Sequence, residues 1–207
     1  MHPNPAFRPK LEAGDERQMI EALVREIGFG MVFFTTPDGP RAAHVPFFST
    51  GDGALQFHLA HGNALTRHIT GQTVLAVVNG ADAYVSPDWY EVPDQVPTWN
   101  YISAEMEGPV RQMDTEGLIA LLDDLSELQE TRLLPKHPWT RSKINADTFD
   151  KMLKAIVGFE IEIKAWRPTF KLSQNKSVEA RERVAAQLEA QGHNAMALMM
   201  RTLGSPV

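Results

Sequence analysis

The chain contains no cysteine. Disulfides, thiolate nucleophiles and cysteine-ligated metals are excluded together, and the usage agrees with a reducing compartment. No apolar run is long enough to cross a bilayer, and the opening MHPNPAFRPKLEAGD lacks the apolar segment of a secretory signal. A cytoplasmic location without membrane attachment is therefore expected. Positive charge is also scarce: 20 Lys and Arg stand against 26 Asp and Glu, a formal net charge of -6. Duplex binding needs clustered cations that displace counterions, so this balance argues against a broad nucleic-acid surface, though not against a local patch. There is no P-loop, no dinucleotide-type glycine fingerprint and no convincing catalytic triad, which leaves catalytic residues unassigned.

What is present is an ordinary globular composition, 43% hydrophobic and 22% charged over 207 residues. No repeat or linker divides the chain, so one domain over 1–207 is expected, with an N-terminal arm over 1–14 and a helical C-terminus. Met19, Ile20, Leu23, Val24 and Ile27 predict a helix that opens near Asp15 and Gln18 and ends at Gly28. Short β-rich runs follow, punctuated by Pro37-Asp38-Gly39-Pro40 and Gly51-Asp52-Gly53, the pattern of a meander. A short helix is expected over 63–70, then strands through TVLAVVNG, ADAYVSP and YISAEMEGPVRQM, with Gly108 and Pro109 as a bulge or bend. Asp114 caps a helix with a stripe of Leu118, Leu121, Leu122, Leu125 and Leu128. A third helix over 147–156, an alternating strand FEIEIKAW and a last helix over 177–200, with Gly192 as a possible break, complete the chain. About seven strands with marginal helices favour a small closed antiparallel barrel, an α+β fold.

Four segments have compositions that packing alone does not require. In AHVPF, His44 and Pro46 stand inside a strand; proline cannot donate to a ladder, so Pro46 implies an edge or an opening of the sheet. A lone strand histidine is as a rule structural, and contact with a ligand is the alternative. In HLAHGN, His58 and His61 precede Asn63, a good N-cap; a helix N-terminus presents free N–H groups to an anion. His58 and His61 face opposite ways if the strand continues, and no carboxylate or thiol stands nearby, so no metal site is expected. Residues 84–101, YVSPDWYEVPDQVPTWNY, hold all three tyrosines, two tryptophans and three prolines. Such a loop either covers one end of a barrel or holds a flat ligand. KLSQN, before the last helix, offers a lysine, a hydroxyl and two amides as a phosphate cradle, a weak signal taken alone.

Together AHVPF, HLAHGN, AYVSPDWY, VPTWNY and KLSQN, in this order, resemble the PaiB family, described as FMN-binding negative transcriptional regulators. HLAHGN departs from that family in carrying His61-Gly62 where relatives more often show a basic residue and alanine. The resemblance implies an antiparallel split β-barrel with flanking helices, usually a homodimer with FMN at the subunit interface, and a phosphate held near 58–67 with Arg67 supplying charge. Carried onto this sequence, it makes His44, Pro46, His58, Asn63, Arg67, Ser86, Trp99, Asn100, Lys171, Ser173, Gln174 and Asn175 the cofactor-binding candidates. Three functions then compete. A regulatory flavoprotein follows from the family; direct DNA binding would have to use Lys164, Arg167, Lys171, Lys176, Arg181 and Arg183, which a solvated face explains equally well. A flavin-dependent oxidoreductase acting on a small molecule needs no catalytic side chain of its own. A haem protein would draw axial ligands from His44, His58, His61 and His68.

Overall fold

The computed structural model describes residues 2–8 and 15–203; part of the expected arm, 9–14, lies outside the described residues. The helices are α1 (Asp15–Ile27), α2 (Thr115–Thr131), α3 (Ala146–Leu153), α4 (Val178–Ala190) and α5 (Asn194–Thr202). The strands are β1 (Phe29–Thr36), β2 (Gly39–Pro46), β3 (Phe48–Ser49), β4 (Ala54–Ala60), β5 (Thr73–Val85), β6 (Thr98–Gln112), β7 (Ile156–Glu162) and β8 (Ala165–Lys171). The sheet runs in the order β2-β1-β5-β6-β7-β4-β3, with β8 against β6. By contacts the chain forms two compact units, one of residues 17–78 and 105–166, the other of residues 1–16, 79–104 and 167–207. The long strands β5 and β6 contribute to both.

In the 17–78/105–166 unit, β1 and β2 form a hairpin in register from Phe29↔Pro46 to Thr36↔Gly39. Pro37 and Asp38 make its turn, and Gly39 closes it at φ 102, a conformation that suits glycine. β1 pairs antiparallel with β5 through Met31↔Val77, and β4 with β7 along its length from Ala54↔Glu162 to Ala60↔Ile156. Alternation sends Leu55, Phe57 and Leu59 inward. There Phe57 stacks on Phe159 at 5.5 Å and meets Phe47 edge-on at 6.0 Å. Each such buried side chain stabilises by about 1.5–3 kcal/mol. α2 opens at Asp114, whose carboxylate accepts from Gly117 N–H at 2.8 Å, and buries Leu118, Leu121 and Leu125 while packing on β7, β4 and β3. Gly158 makes that approach possible, because a Cβ there would lie 3.2 Å from Leu118 and Met113.

Gly108 and Pro109 do not interrupt β6. Glycine at 108 supplies room instead: a Cβ would come within 1.9 Å of the Glu162 carbonyl oxygen. Residues 63–70 form no helix but a run of turns, in which Asn63 N–H bonds Ala60, Thr66 N–H bonds Asn63 and His68 N–H bonds Leu65. Asn63 and Thr66 side chains take the 65 N–H and the 60 carbonyl, so local side-chain bonds compete with helical ones.

In the other unit, β8 emerges as a strand of its own, separated from β7 by Ile163 and Lys164. The C-terminal helix is two: Gly192, at φ 86, turns the chain between α4 and α5, which pack on each other. α4 also packs on a 3-10 turn over Pro87–Tyr90 that Ser86 caps.

Candidate functional site

The sequence-predicted residues fall into two sets, one in each unit. In the 17–78/105–166 unit, His44 is exposed on β2, opposite Met31, and lies parallel to the Phe29 ring at 6.4 Å. Pro46 ends β2, a terminal strand of the sheet, where a missing N–H costs nothing. His58 stands opposite Gly158 on the sheet face that α2 covers; its Nδ1 is buried without a hydrogen-bond partner, and burial pushes its pKa down. Burial under the helix thus favours its neutral form. Asn63 spends its side-chain oxygen on the Leu65 N–H at 2.9 Å. Because no helix begins there, the anion site expected at a helix N-terminus has no helix behind it. Arg67 is exposed, and among the described residues no carboxylate is paired with it. A groove of about 550 Å³ opens between β1, β2, β5 and β6, with Phe33, Phe34 and Leu75 as apolar wall and Arg41 and Glu107 as its charges. Arg41 was not marked by the sequence, since a cation just past a hairpin turn carries no distinguishing pattern.

The 1–16/79–104/167–207 unit holds a tighter constellation. After β8 the chain turns through Ser173 at φ 61, a left-handed conformation that is uncommon for serine. A buried network holds it there. The Ser173 hydroxyl meets Tyr90 Oη at 2.8 Å, accepts from Asn100 Nδ2 at 3.0 Å and donates to Asn100 Oδ1 at 3.2 Å. Asn100 Nδ2 also reaches Met200 Sδ at 3.3 Å. With Tyr90 donating, the serine uses its one proton and both lone pairs. Burial raises the Tyr90 pKa, against the smaller opposing effect of the Ser173 bond, and so keeps the phenol protonated as that donor. Gln174 is equally committed: its oxygen accepts from Leu172 N–H at 2.8 Å and its amide donates to the Phe170 carbonyl.

Trp99 and Asn100 are both among the cofactor-binding candidates. The structure separates them, burying Asn100 completely and leaving Trp99 54% exposed beside Tyr84, edge-on at 6.1 Å. Ser86 accepts from Asp88 N–H, and Asn175 is exposed. Lys171 differs from all of these. Its half-buried ammonium donates to Thr98 Oγ1 and lies 5.7 Å from the Phe7 ring centroid. Among the described residues no carboxylate is paired with it, and burial lowers its pKa. Thr98, Tyr90 and Phe7 were not singled out in the sequence, although Thr98 and Tyr90 stand inside the VPTWNY and AYVSPDWY segments.

Among the described residues no group of three or more His, Asp or Glu is arranged to hold a metal, and no helix is long and apolar enough to span a membrane.

The chain is 31% identical over 187 residues to protease synthase and sporulation protein PAI 2 of Bacillus subtilis, covering 88% of this chain and 89% of that one. In structure it is similar to the FAD and heme binding protein from Mycobacterium smegmatis, at TM-score 0.57 and 20% identity, over 82% of this chain and 77% of that one. It is also similar to the flavocytochrome Anf3 from Azotobacter vinelandii, at TM-score 0.53 and 16% identity, over 74% and 66%. At such identities the likeness speaks of fold, here an α+β antiparallel sheet with helices of the FMN-binding split-barrel type. Residues 1–165 match the family described as "Putative FMN-binding domain", a stretch that stops before KLSQN. With most of its length matched, the chain belongs to that family, the PaiB family.

Proposed function

We propose that this protein binds FMN, with Lys171 as the contact to its phosphate, and that it acts as a regulatory flavoprotein. The observation that carries the reading is the Lys171 ammonium, held half-buried against Thr98 with no carboxylate paired to it among the described residues. A partly desolvated cation is stabilised by an anion that reaches it, and a phosphate supplies that anion. The residues therefore fit a phosphate-bearing ligand. Ser173, Asn100 and Tyr90 fix the turn that directly follows Lys171 at the end of β8, and Gln174 ties that turn to itself. The alternative anchor is the turn at 58–67, where Arg67 supplies the charge. Bound FMN brings its own capacity for electron transfer, so a flavin-dependent oxidoreductase acting on a small molecule is the second form of this reading. A haem reading rests on His44, exposed on β2 beside Phe29.

The absorption spectrum of the purified chain separates these readings. Flavin bands, retained or regained on adding FMN, are the expected result. A Soret band with no flavin uptake would move the assignment to haem.

A homodimer belongs to the same proposal. One face of β1, β2 and β5 carries Phe29, Met31, Phe33, Leu75 and Val77 outward beside Ala42 and His44, and Phe29 is 52% exposed. Such a face is suited to a second copy of the chain. Sedimentation is expected to give twice the 23.1 kDa chain mass, and Phe29→Glu to shift the population to monomer. A wild-type chain that sediments as a folded monomer at micromolar concentration would remove the dimer.

A further inference from the structure

The N-terminal arm touches the proposed phosphate contact directly. Residues 2–8 are a small self-held element. Asn4 accepts from Ala6 N–H at 2.9 Å, Phe7 N–H bonds the Asn4 carbonyl at 3.2 Å, and Pro3 and Pro5 restrict the backbone. It is attached to the rest of its unit at His2 and at Phe7. His2 N–H donates to Thr169 Oγ1 at 3.3 Å, and Phe7, only 6% exposed, packs with its ring toward the Lys171 ammonium. The His2 ring meets the Phe7 ring edge-on at 4.7 Å, so the two attachments are joined.

We propose that residues 2–8 form a strap over Lys171, in which the Phe7 ring stands in for an anion and is displaced when a phosphate group arrives. The strap rests on the reading of Lys171 as the phosphate contact and adds its regulation. The face of an aromatic ring is a weak, neutral partner for a cation, and a phosphate is a stronger, charged one. Competition for the same ammonium then makes the arm two-state: seated without the anion, released with it. Because the arm is held by its own bonds, it leaves as a unit. What the strap transmits is the phosphate end of the ligand, so a flavin without phosphate leaves it closed. A freed segment is a signal of FMN occupancy that a regulatory flavoprotein can present to a partner.

Two measurements on the full chain test this. Chymotrypsin cleaves after phenylalanine, and release of the 1–7 peptide, followed by mass spectrometry, reports exposure of Phe7. FMN is expected to speed that release and riboflavin to leave it unchanged. Phe7→Leu keeps an apolar side chain but removes the ring face, and is expected to tighten FMN binding by roughly fivefold or more, the weight of a partly desolvated cation–π contact, with riboflavin unaffected. In a Lys171→Ala background the same substitution is expected to do nothing. If FMN slows the cleavage or leaves it unchanged, or if riboflavin speeds it equally, the strap is wrong. That failure is separate from failure of the phosphate reading, which shows instead as equal loss of FMN and riboflavin binding in Lys171→Ala.

Discussion

Lys171→Ala is expected to weaken FMN binding by roughly ten- to a hundredfold while leaving riboflavin almost unchanged, because a hydrogen bond to a charged group is worth about 1.5–3 kcal/mol. The two ligands share the ring system and ribityl chain and differ in the phosphate, so their ratio isolates the contact. pH gives an independent handle. The protonated ammonium is the form that holds a phosphate, and burial has already lowered its pKa below the ordinary lysine value. The FMN advantage over riboflavin is therefore present below that depressed pKa and lost as pH rises through it, earlier than for an exposed lysine. Lys171→Arg keeps the charge without this titration, so its FMN advantage should persist at a pH where wild type has lost it. Equal losses for the two ligands in Lys171→Ala would place the phosphate elsewhere, with the turn carrying Arg67 as the next position to substitute.

Asn100→Ala is expected to lower the unfolding temperature of the ligand-free chain, whereas Trp99→Phe is expected to leave it nearly unchanged. Asn100 is fully buried, and its removal strands the Ser173 hydroxyl and weakens the hold on Tyr90. Leaving buried polar groups unsatisfied costs about 1–3 kcal/mol. For a chain of this length each kcal/mol corresponds to about 2–4 °C in Tm. The strained Ser173 backbone adds to the effect, since the network holds it at positive φ. Trp99, 54% exposed, has little packing to lose, and a surface substitution of this kind stays within about 0.5 kcal/mol. If Asn100→Ala left the unfolding temperature unchanged and abolished FMN binding, the network would be a ligand site rather than a support. A large loss of apo stability in Trp99→Phe would make the indole part of the packing.

The residues that announced themselves in the sequence are those whose role is set by local pattern. The alternation of Leu55, Phe57 and Leu59, the leucine stripe of α2 with its Asp114 cap, and the break at Gly192 follow from periods of 2 and 3.6 and from glycine's freedom at positive φ. β8 did not, because Pro168, Thr169 and Phe170 are buried in succession and show no alternation. Residues 63–70 read as a helix because Asn63 is a good cap, yet Asn63 and Thr66 bind the backbone locally and hold turns instead. The opposite facing of Trp99 and Asn100 was legible from strand alternation. Which of them turns inward is decided by Ile102, Ala104 and Met106, whose buried parity Asn100 shares. The bonds among Tyr90, Asn100 and Ser173 join residues 73 and 83 apart in sequence, and no spacing rule reports such a pairing.

The most direct test of flavin binding is a fluorescence titration of FMN with the purified full chain, riboflavin being run in parallel. FMN binding that saturates at one flavin per chain, with riboflavin bound more weakly, is the expected result. If FMN shows no saturable binding, or if riboflavin binds as tightly as FMN, the assignment of a phosphate-anchored flavin site is contradicted.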